Sequence, residues 1–419
     1  MRKFYVIFIL TLILSFALGY VFAQDWSNNN ENVPGTAPVT QNDQDSWKKE
    51  RDPLKEQIEA MTLNEKIGQM VIVGIDSYEN DEHAKYMIEN YQVGGFILLK
   101  KNIKDVDQLK NLLNSLKESN TVNNIPLFLS VDEEGGSISR LPNGFKKIPV
   151  SGKIGSINNS AISFQVGNII GEALQLLGFN MDFAPVLDIN SNPQNPVIGD
   201  RAFGSEAELV SKLGIQTMKG LQAKNIISVV KHFPGHGDTS VDSHLGLPIV
   251  NHDLERLKNF ELRPFMEAIN NDVDAIMIAH LLLPQIDPDN PATLSPAVIT
   301  TLLRKEMQFD GVVITDDLTM GAIADNYDLG EAAVKSINAG SDIILVCHEY
   351  AHEENVLKTL QKAAANGDIA EERINESVYR ILKLKQKYNL SDQTDFVTQE
   401  EMNARITAIN QRIMKLLGE

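Results

Sequence analysis

Short runs of branched apolar residues alternate along most of the chain with longer stretches whose apolar positions recur every three or four residues. The runs are 67–75 (IGQMVIVGI), 93–99 (VGGFILL), 125–132 (IPLFLSVD), 180–189 (NMDFAPVLDI), 226–233 (IISVVKHF), 274–280 (DAIMIAH), 311–317 (GVVITDD) and 341–346 (SDIILV). Most are apolar on both faces, as strands buried in a parallel sheet are. Helical spacing fills 106–119, 161–177, 206–223, 254–270, 296–307, 330–339 and 355–365. Strict alternation of this kind predicts an α/β protein, a (β/α)8 TIM-like barrel in a single domain. A doubly wound open sheet has the same local pattern and is the alternative.

The polar residues favour the barrel. Asp132 ends the third run, Asp188 the fourth, Lys231 and His232 the fifth, His280 the sixth, and Asp316 and Asp317 the seventh. In a barrel these ends converge on one mouth, whereas in an open sheet they spread along an edge. A single Asp at such a place is as readily a helix cap; five strand ends together are harder to explain that way.

The flanks read differently. Arg2 and Lys3 precede an uncharged apolar run from Phe4 to Phe22, and Val21 and Ala23 are small residues at the positions a signal peptidase reads. This predicts an export signal over 1–23, with an uncleaved N-terminal anchor as the rival. Gln24 stands where a lipoprotein needs cysteine. Residues 24–50 are polar, rich in Asn and Gln, and read as a disordered spacer. The domain is expected over 51–390 and a helical tail over 391–419. In that tail Ile406, Ile409, Ile413 and Leu416 share one face, which is expected to pack on the domain.

Composition adds two limits. With Cys347 as the only cysteine no intrachain disulfide can form, so an exported domain must rely on its core. The formal net charge of −18 argues against nucleic acid or anionic lipid as a partner. The phosphate-binding patterns GxxxxGK[ST] and GxGxxG are absent.

Three of the eight histidines crowd into KHFPGHGDTSVDSH, 231–244. Its prolines and glycines rule out one helix. Metal binding, proton transfer and a merely polar loop all compete for it. The spacings are not those of HExxH, and no second Cys or His cluster completes a zinc site. Asp242-Ser243-His244 suits proton transfer. In an extended segment residues i and i+2 share a side, so Asp242 can accept a hydrogen bond from one ring nitrogen of His244 and leave the other free to exchange protons. In VVITDDLTM, 312–320, consecutive strand residues face opposite sides, so one of Asp316 and Asp317 faces the mouth and the other caps a turn. An ionised carboxylate in a basic pocket can act as a nucleophile. SVDEEGGSISRLP and GDRAFG add Asp132, Arg140 and Arg201, the kind of groups that bracket sugar hydroxyls.

Taken together, D-E-E-G-G-x-x-x-R, G-D-R-A-F-G, K-H-F-P-G-H-G-D…D-S-H and T-D-D-L-x-M resemble glycoside hydrolase family 3 over roughly Leu54 to Leu390. The histidine-rich element is similar to that of its β-N-acetylglucosaminidase branch. The resemblance implies a retaining exo-β-N-acetylglucosaminidase acting on peptidoglycan fragments or chitooligosaccharides, with no cofactor and no metal. It implies Asp316 as nucleophile, His244 as acid/base with Asp242 as its partner, and Asp132, Arg140, Arg201, Lys231 and His232 around the terminal sugar. His236 is expected to be structural. Ser137 departs from the family's usual Arg after the Gly-Gly pair, and the chain has no room for the second α/β domain of many members. A family 3 β-glucosidase or phosphorylase is the nearer alternative, a non-catalytic wall-binding barrel the more distant one. A carbohydrate substrate, no nucleic acid, membrane contact only through an uncleaved anchor, and a monomer complete the expectations.

Overall fold

In a computed structural model of the protein, which describes residues 52–394 and 397–418, eight parallel strands close into a barrel. They are β1 (Val71–Val73), β2 (Gly95–Leu98), β3 (Phe128–Val131), β4 (Met181–Asp182), β5 (Ile227–Phe233), β6 (Ala275–Ile278), β7 (Val312–Asp317) and β8 (Ile343–Val346). Each strand pairs with the next, and β8 returns to β1 through Val71 opposite Ile344 and Val73 opposite Val346. Ile72, Phe96, Phe128, Met181, Ile227 and Ile344 are fully buried, as strands covered by side chains inside and helices outside must be. All eight apolar runs contain a strand, and the closed order excludes the open sheet. The export signal over 1–23 and the spacer over 24–50 lie outside the described residues. Among the described residues no helix is long and apolar enough to cross a membrane.

Three expected elements differ, the first two for a local reason. The run 67–75 begins in a helix, Leu63–Gln69. Thr62 and Glu65 form a reciprocal capping box there, which carries the chain into a helix before β1 begins. The expected helix 254–270 is two, Leu254–Asn259 and Arg263–Ile269. Pro264 lacks an N–H and is tolerated in the first turn of the second helix, not in the interior of a longer one. The stretch 296–307 is a π-helix, Ala297–Glu306.

Charge clamps fasten the base of the barrel. Asp342, just before β8, is fully buried. It takes the Arg373 guanidinium at 2.7 Å, the Ser377 hydroxyl at 2.8 Å, the Val313 N–H at 3.0 Å, and Arg304. Burial would raise its carboxyl pKa, but the surrounding arginines hold it below the usual range. The Gln399–Leu417 helix lies on Ser160–Leu177 through Ile406, Ile409 and Ile413, with Arg412 donating to Asn168 at 2.9 Å.

Candidate active site

The C-terminal ends of the strands surround a cavity of about 570 Å³. Asp132, Arg140, Arg201, Lys231, His232, His244 and Asp316 all line it, so residues far apart in sequence meet at one mouth. Asp242 does not line it and instead holds His244 from behind. His280, expected at the mouth, is fully buried; its Nε2–H donates to the Asp317 carbonyl at 2.9 Å and supports the end of β7 from below.

Asp316 and Asp317 divide as their alternation on β7 requires. The Asp317 carboxylate accepts the Thr319 N–H at 3.0 Å, the Thr319 hydroxyl at 2.6 Å and the Cys347 N–H at 3.0 Å, which caps the turn. Asp316 is part-exposed to the cavity, and one of its oxygens accepts the Asp317 N–H at 2.9 Å. Burial would push its pKa up. The charges of His280 and His232, the Asp317 N–H and Lys231 outweigh that and hold it below the usual carboxylate range. Asp316 is therefore ionised at neutral pH and free on the cavity side.

A four-member charge cluster forms the wall beside it. Lys231 Nζ sits 2.6 Å from Asp132 Oδ1 and 2.7 Å from Glu134 Oε1. Arg201 grips Glu134 with both arms, Nε at 2.8 Å and a terminal nitrogen at 2.7 Å. Two cations and two carboxylates give a neutral, almost fully buried set. Burial alone would raise the Glu134 pKa, but Lys231 and Arg201 hold it far below the usual range. Burial works against the charge on Lys231 and Arg201, and the carboxylates more than restore it.

Glu134 was not among the expected site residues. The signal was present in D-E-E: if the chain stays extended past β3, residues 132 and 134 share a side and 133 points away. Gly135 and Gly136, with φ of +80° and +62°, then turn the chain in a conformation that only glycine adopts freely.

His232 gives Nδ1–H to Asp188 at 2.6 Å, which leaves Nε2 for a ligand. Asp188 also accepts the His236 N–H at 2.7 Å. His236 is buried: Nδ1–H goes to the Thr239 hydroxyl at 2.8 Å, and Nε2 accepts the Ser243 hydroxyl at 3.2 Å. Its ring thereby fixes the residue before His244. Asn195 joins this loop to the preceding one, donating to the His236 carbonyl at 2.8 Å and accepting the Ile198 N–H at 2.7 Å. Gly237 is required at the junction, because a Cβ there would stand 1.8 Å from the Ile189 carbonyl oxygen.

Asp242 Oδ1 accepts both the ring Nδ1–H of His244 at 2.8 Å and its backbone N–H at 2.9 Å. The pairing arises in a tight Asx-type turn, with Leu245 N–H on the Asp242 carbonyl at 3.0 Å, and not in the extended segment that D-x-H spacing suggested. Burial opposes ionisation of Asp242, but the His244 N–H and ring together outweigh it and hold its pKa below the usual range. The ring is 64% exposed, so Nε2 meets solvent and any leaving group at the mouth. Among the described residues no group of three or more His, Cys, Asp or Glu side chains is placed to hold a metal ion.

A barrel with an ionised strand-end carboxylate and a carboxylate-backed histidine over one polar cavity is the layout of a glycoside-cleaving enzyme. Residues 62–384 match the glycosyl hydrolase family 3 N-terminal domain, and the chain belongs to that family. Within it the relatives with curated names that follow are β-hexosaminidases. A β-hexosaminidase A of Pseudoalteromonas piscicida is 36% identical over 326 residues, 72% of this chain and 54% of that protein, so the chain spans about half of that relative's length. A β-hexosaminidase of Idiomarina loihiensis is 34% identical over 291 residues, 68% of this chain and 86% of that one. Among solved structures, a glycoside hydrolase family 3 β-N-acetylglucosaminidase from Paenibacillus sp. FPU-7 superposes with a TM-score of 0.78 at 43% identity, over 84% of this chain and 69% of that one.

Proposed function

We propose that the protein is an exported, retaining exo-β-N-acetylglucosaminidase that removes terminal β-linked GlcNAc from peptidoglycan fragments or chitooligosaccharides. The observation that carries this reading is the ionised Asp316 in the same cavity as the His244–Asp242 pair. The names of the relatives support the sugar.

In this reading the Asp132–Glu134–Lys231–Arg201 cluster, with Arg140 and His232, binds the sugar hydroxyls. An Asp316 oxygen attacks the anomeric carbon while His244 Nε2–H protonates the departing glycosidic oxygen. The carbon–oxygen bond breaks and a glycosyl ester of Asp316 forms. His244 Nε2 then takes a proton from water, the hydroxide attacks the same carbon, and Asp316 leaves as carboxylate. Two inversions retain configuration. A histidine here fills the place a second carboxylate takes in most retaining glycosidases.

The test is nitrophenol release from the aryl β-N-acetylglucosaminide and the matching β-glucoside by wild type and Asp316→Asn. Turnover of the GlcNAc substrate by wild type, with at least a thousandfold loss in the variant, is expected. Normal turnover by Asp316→Asn would sink the assignment, and turnover of the glucoside alone would move the sugar.

A further inference from the structure

Behind the cavity lie two acidic side chains that the proposed mechanism does not use. Glu133 and Asp182 are both fully buried, and neither makes an ion pair among the described residues. Three donors from consecutive residues point at one oxygen of Glu133: the Ser139 hydroxyl at 2.9 Å, the Arg140 N–H at 2.6 Å and the Leu141 N–H at 3.1 Å. The Glu133 N–H in turn donates to Asp182 Oδ1 at 2.9 Å, and Asp182 ends β4. One chain of contacts therefore runs from the barrel wall through Glu133 to the backbone of Arg140.

Arg140 itself lines the cavity, and its Nε is buried without a protein partner. That nitrogen has no protein anchor, so the position of the guanidinium depends on where the backbone of Arg140 is held. The second oxygens, Glu133 Oε1 and Asp182 Oδ2, also lack partners. Unpaired buried polar atoms are costly and rarely kept without use. We propose that Glu133, braced by Asp182, is a positioning residue that fixes the 139–141 turn and so presents Arg140 to the bound sugar. This rests on the reading that Arg140 contacts substrate hydroxyls.

The test is a double-mutant cycle of Glu133→Met, Arg140→Ala and the pair, read as KM and kcat on the aryl substrate that wild type turns over. Met fills the volume of Glu without an acceptor. Each single variant should raise KM about tenfold with kcat within about threefold, and the pair should raise it no further than Arg140→Ala alone. Glu133→Gln keeps an acceptor for the three donors and places an amide N–H where the unpaired oxygen stands, so it should restore KM to within about threefold of wild type. Multiplied effects in the pair, an unshifted KM in Glu133→Met, or a folded Glu133→Gln that fails to restore KM would each overturn the proposal. Wild type inert on both aryl glycosides would count against the proposed function alone. A crystal structure of Glu133→Met then decides this proposal without turnover: Arg140 displaced from the cavity supports it, and Arg140 in place refutes it.

Discussion

Glu134→Gln gives the sharpest test of how the cavity wall is held. The substitution keeps the shape and removes one charge from a neutral set of four, leaving Lys231 and Arg201 with Asp132 as their remaining carboxylate. The Glu134 side chain is only 3% exposed and Lys231 equally so, so water replaces little of the lost interaction. Removing one partner of a buried ion pair costs about 3–5 kcal/mol, and a Gln oxygen that still accepts one donor puts this variant near 3. The amide NH2 meanwhile faces an ammonium or guanidinium donor, which should rotate Lys231 or Arg201 and raise KM about tenfold or more. The pH dependence has a definite sign. Glu134 titrates far below its usual value in the folded protein, so its contribution is complete above about pH 4.5, where the unfolded carboxyl is ionised. It fades as pH falls further, by about 1.4 kcal/mol per unit. Urea unfolding of wild type and variant at pH 7 and pH 3.5 measures both quantities. A gap below about 1 kcal/mol at pH 7, or one that does not narrow in acid, refutes the account of the cluster as a mutually ionised set.

The other expectations are simpler to read. His244→Ala should lose about 10²–10⁴ in kcat/KM on substrates with poor leaving groups and far less on a dinitrophenyl glycoside, which departs without protonation; equal losses in kcat/KM on both would remove His244 from the acid role. Asp342→Asn strips the common partner of Arg304 and Arg373 and should destabilise by about 3–5 kcal/mol with KM unaltered in the folded fraction, as urea unfolding with parallel kinetics would show. Burial pushes the Glu133 carboxyl up to about 7, so between about pH 4.5 and 7 the folded protein holds a proton that the unfolded chain releases, and stability falls as pH rises through that window. Glu133→Gln removes the slope, and its stability gain over wild type should grow toward about 3 kcal/mol by pH 8; a gain that shrinks with rising pH would contradict the assigned sign.

The barrel was legible because each strand, buried on both faces, must be apolar throughout, and the eight runs could not be mistaken for alternating edge strands. Strand length was less legible. The run 180–189 contains only Met181–Asp182 as strand; Pro185 has no N–H for the ladder, and beyond it a single bridge, Val186 beside Lys231, still joins the run to β5. The T-x-x-E box at Thr62 was written in the sequence, but it stands just before an apolar run, 67–75, whose first residues looked like strand. At the candidate site, residues at strand ends could be named because topology alone brings such ends together. Asp242 and His244 were paired from their spacing, yet an Asx-type turn makes the pair, a geometry that D-x-H spacing does not distinguish from an extended one. Glu133, Glu134 and Asp188 act through partners 6 to 97 positions away, most of them at separations that no local pattern encodes.

The division of labour between strand and loop follows from what each group must do. In the proposed mechanism the nucleophile and the sugar-binding charges stay ionised and keep their geometry through both displacements; Asp316 and Lys231 sit on the ends of β7 and β5, where neighbouring charges hold them ionised against burial. In that mechanism the acid/base loses one proton and regains one from water in each turnover, so deep burial would slow it and shift its pKa away from use. His244 accordingly lies on a loop at 64% exposure, with Val241, Leu245 and Ile249 exposed around it. The base of that loop is locked by His236, Asn195 and the Gly237 contact, and its far side is tied to β7's turn by the Ala322 N–H on the Ser243 carbonyl at 3.1 Å. Orientation of the ring is thus set at two fixed points and by Asp242, while its reactive nitrogen remains in water. In the proposed mechanism the three histidines of KHFPGHGDTSVDSH serve three ends: His232 reads the ligand, His236 braces the loop, and His244 moves the proton.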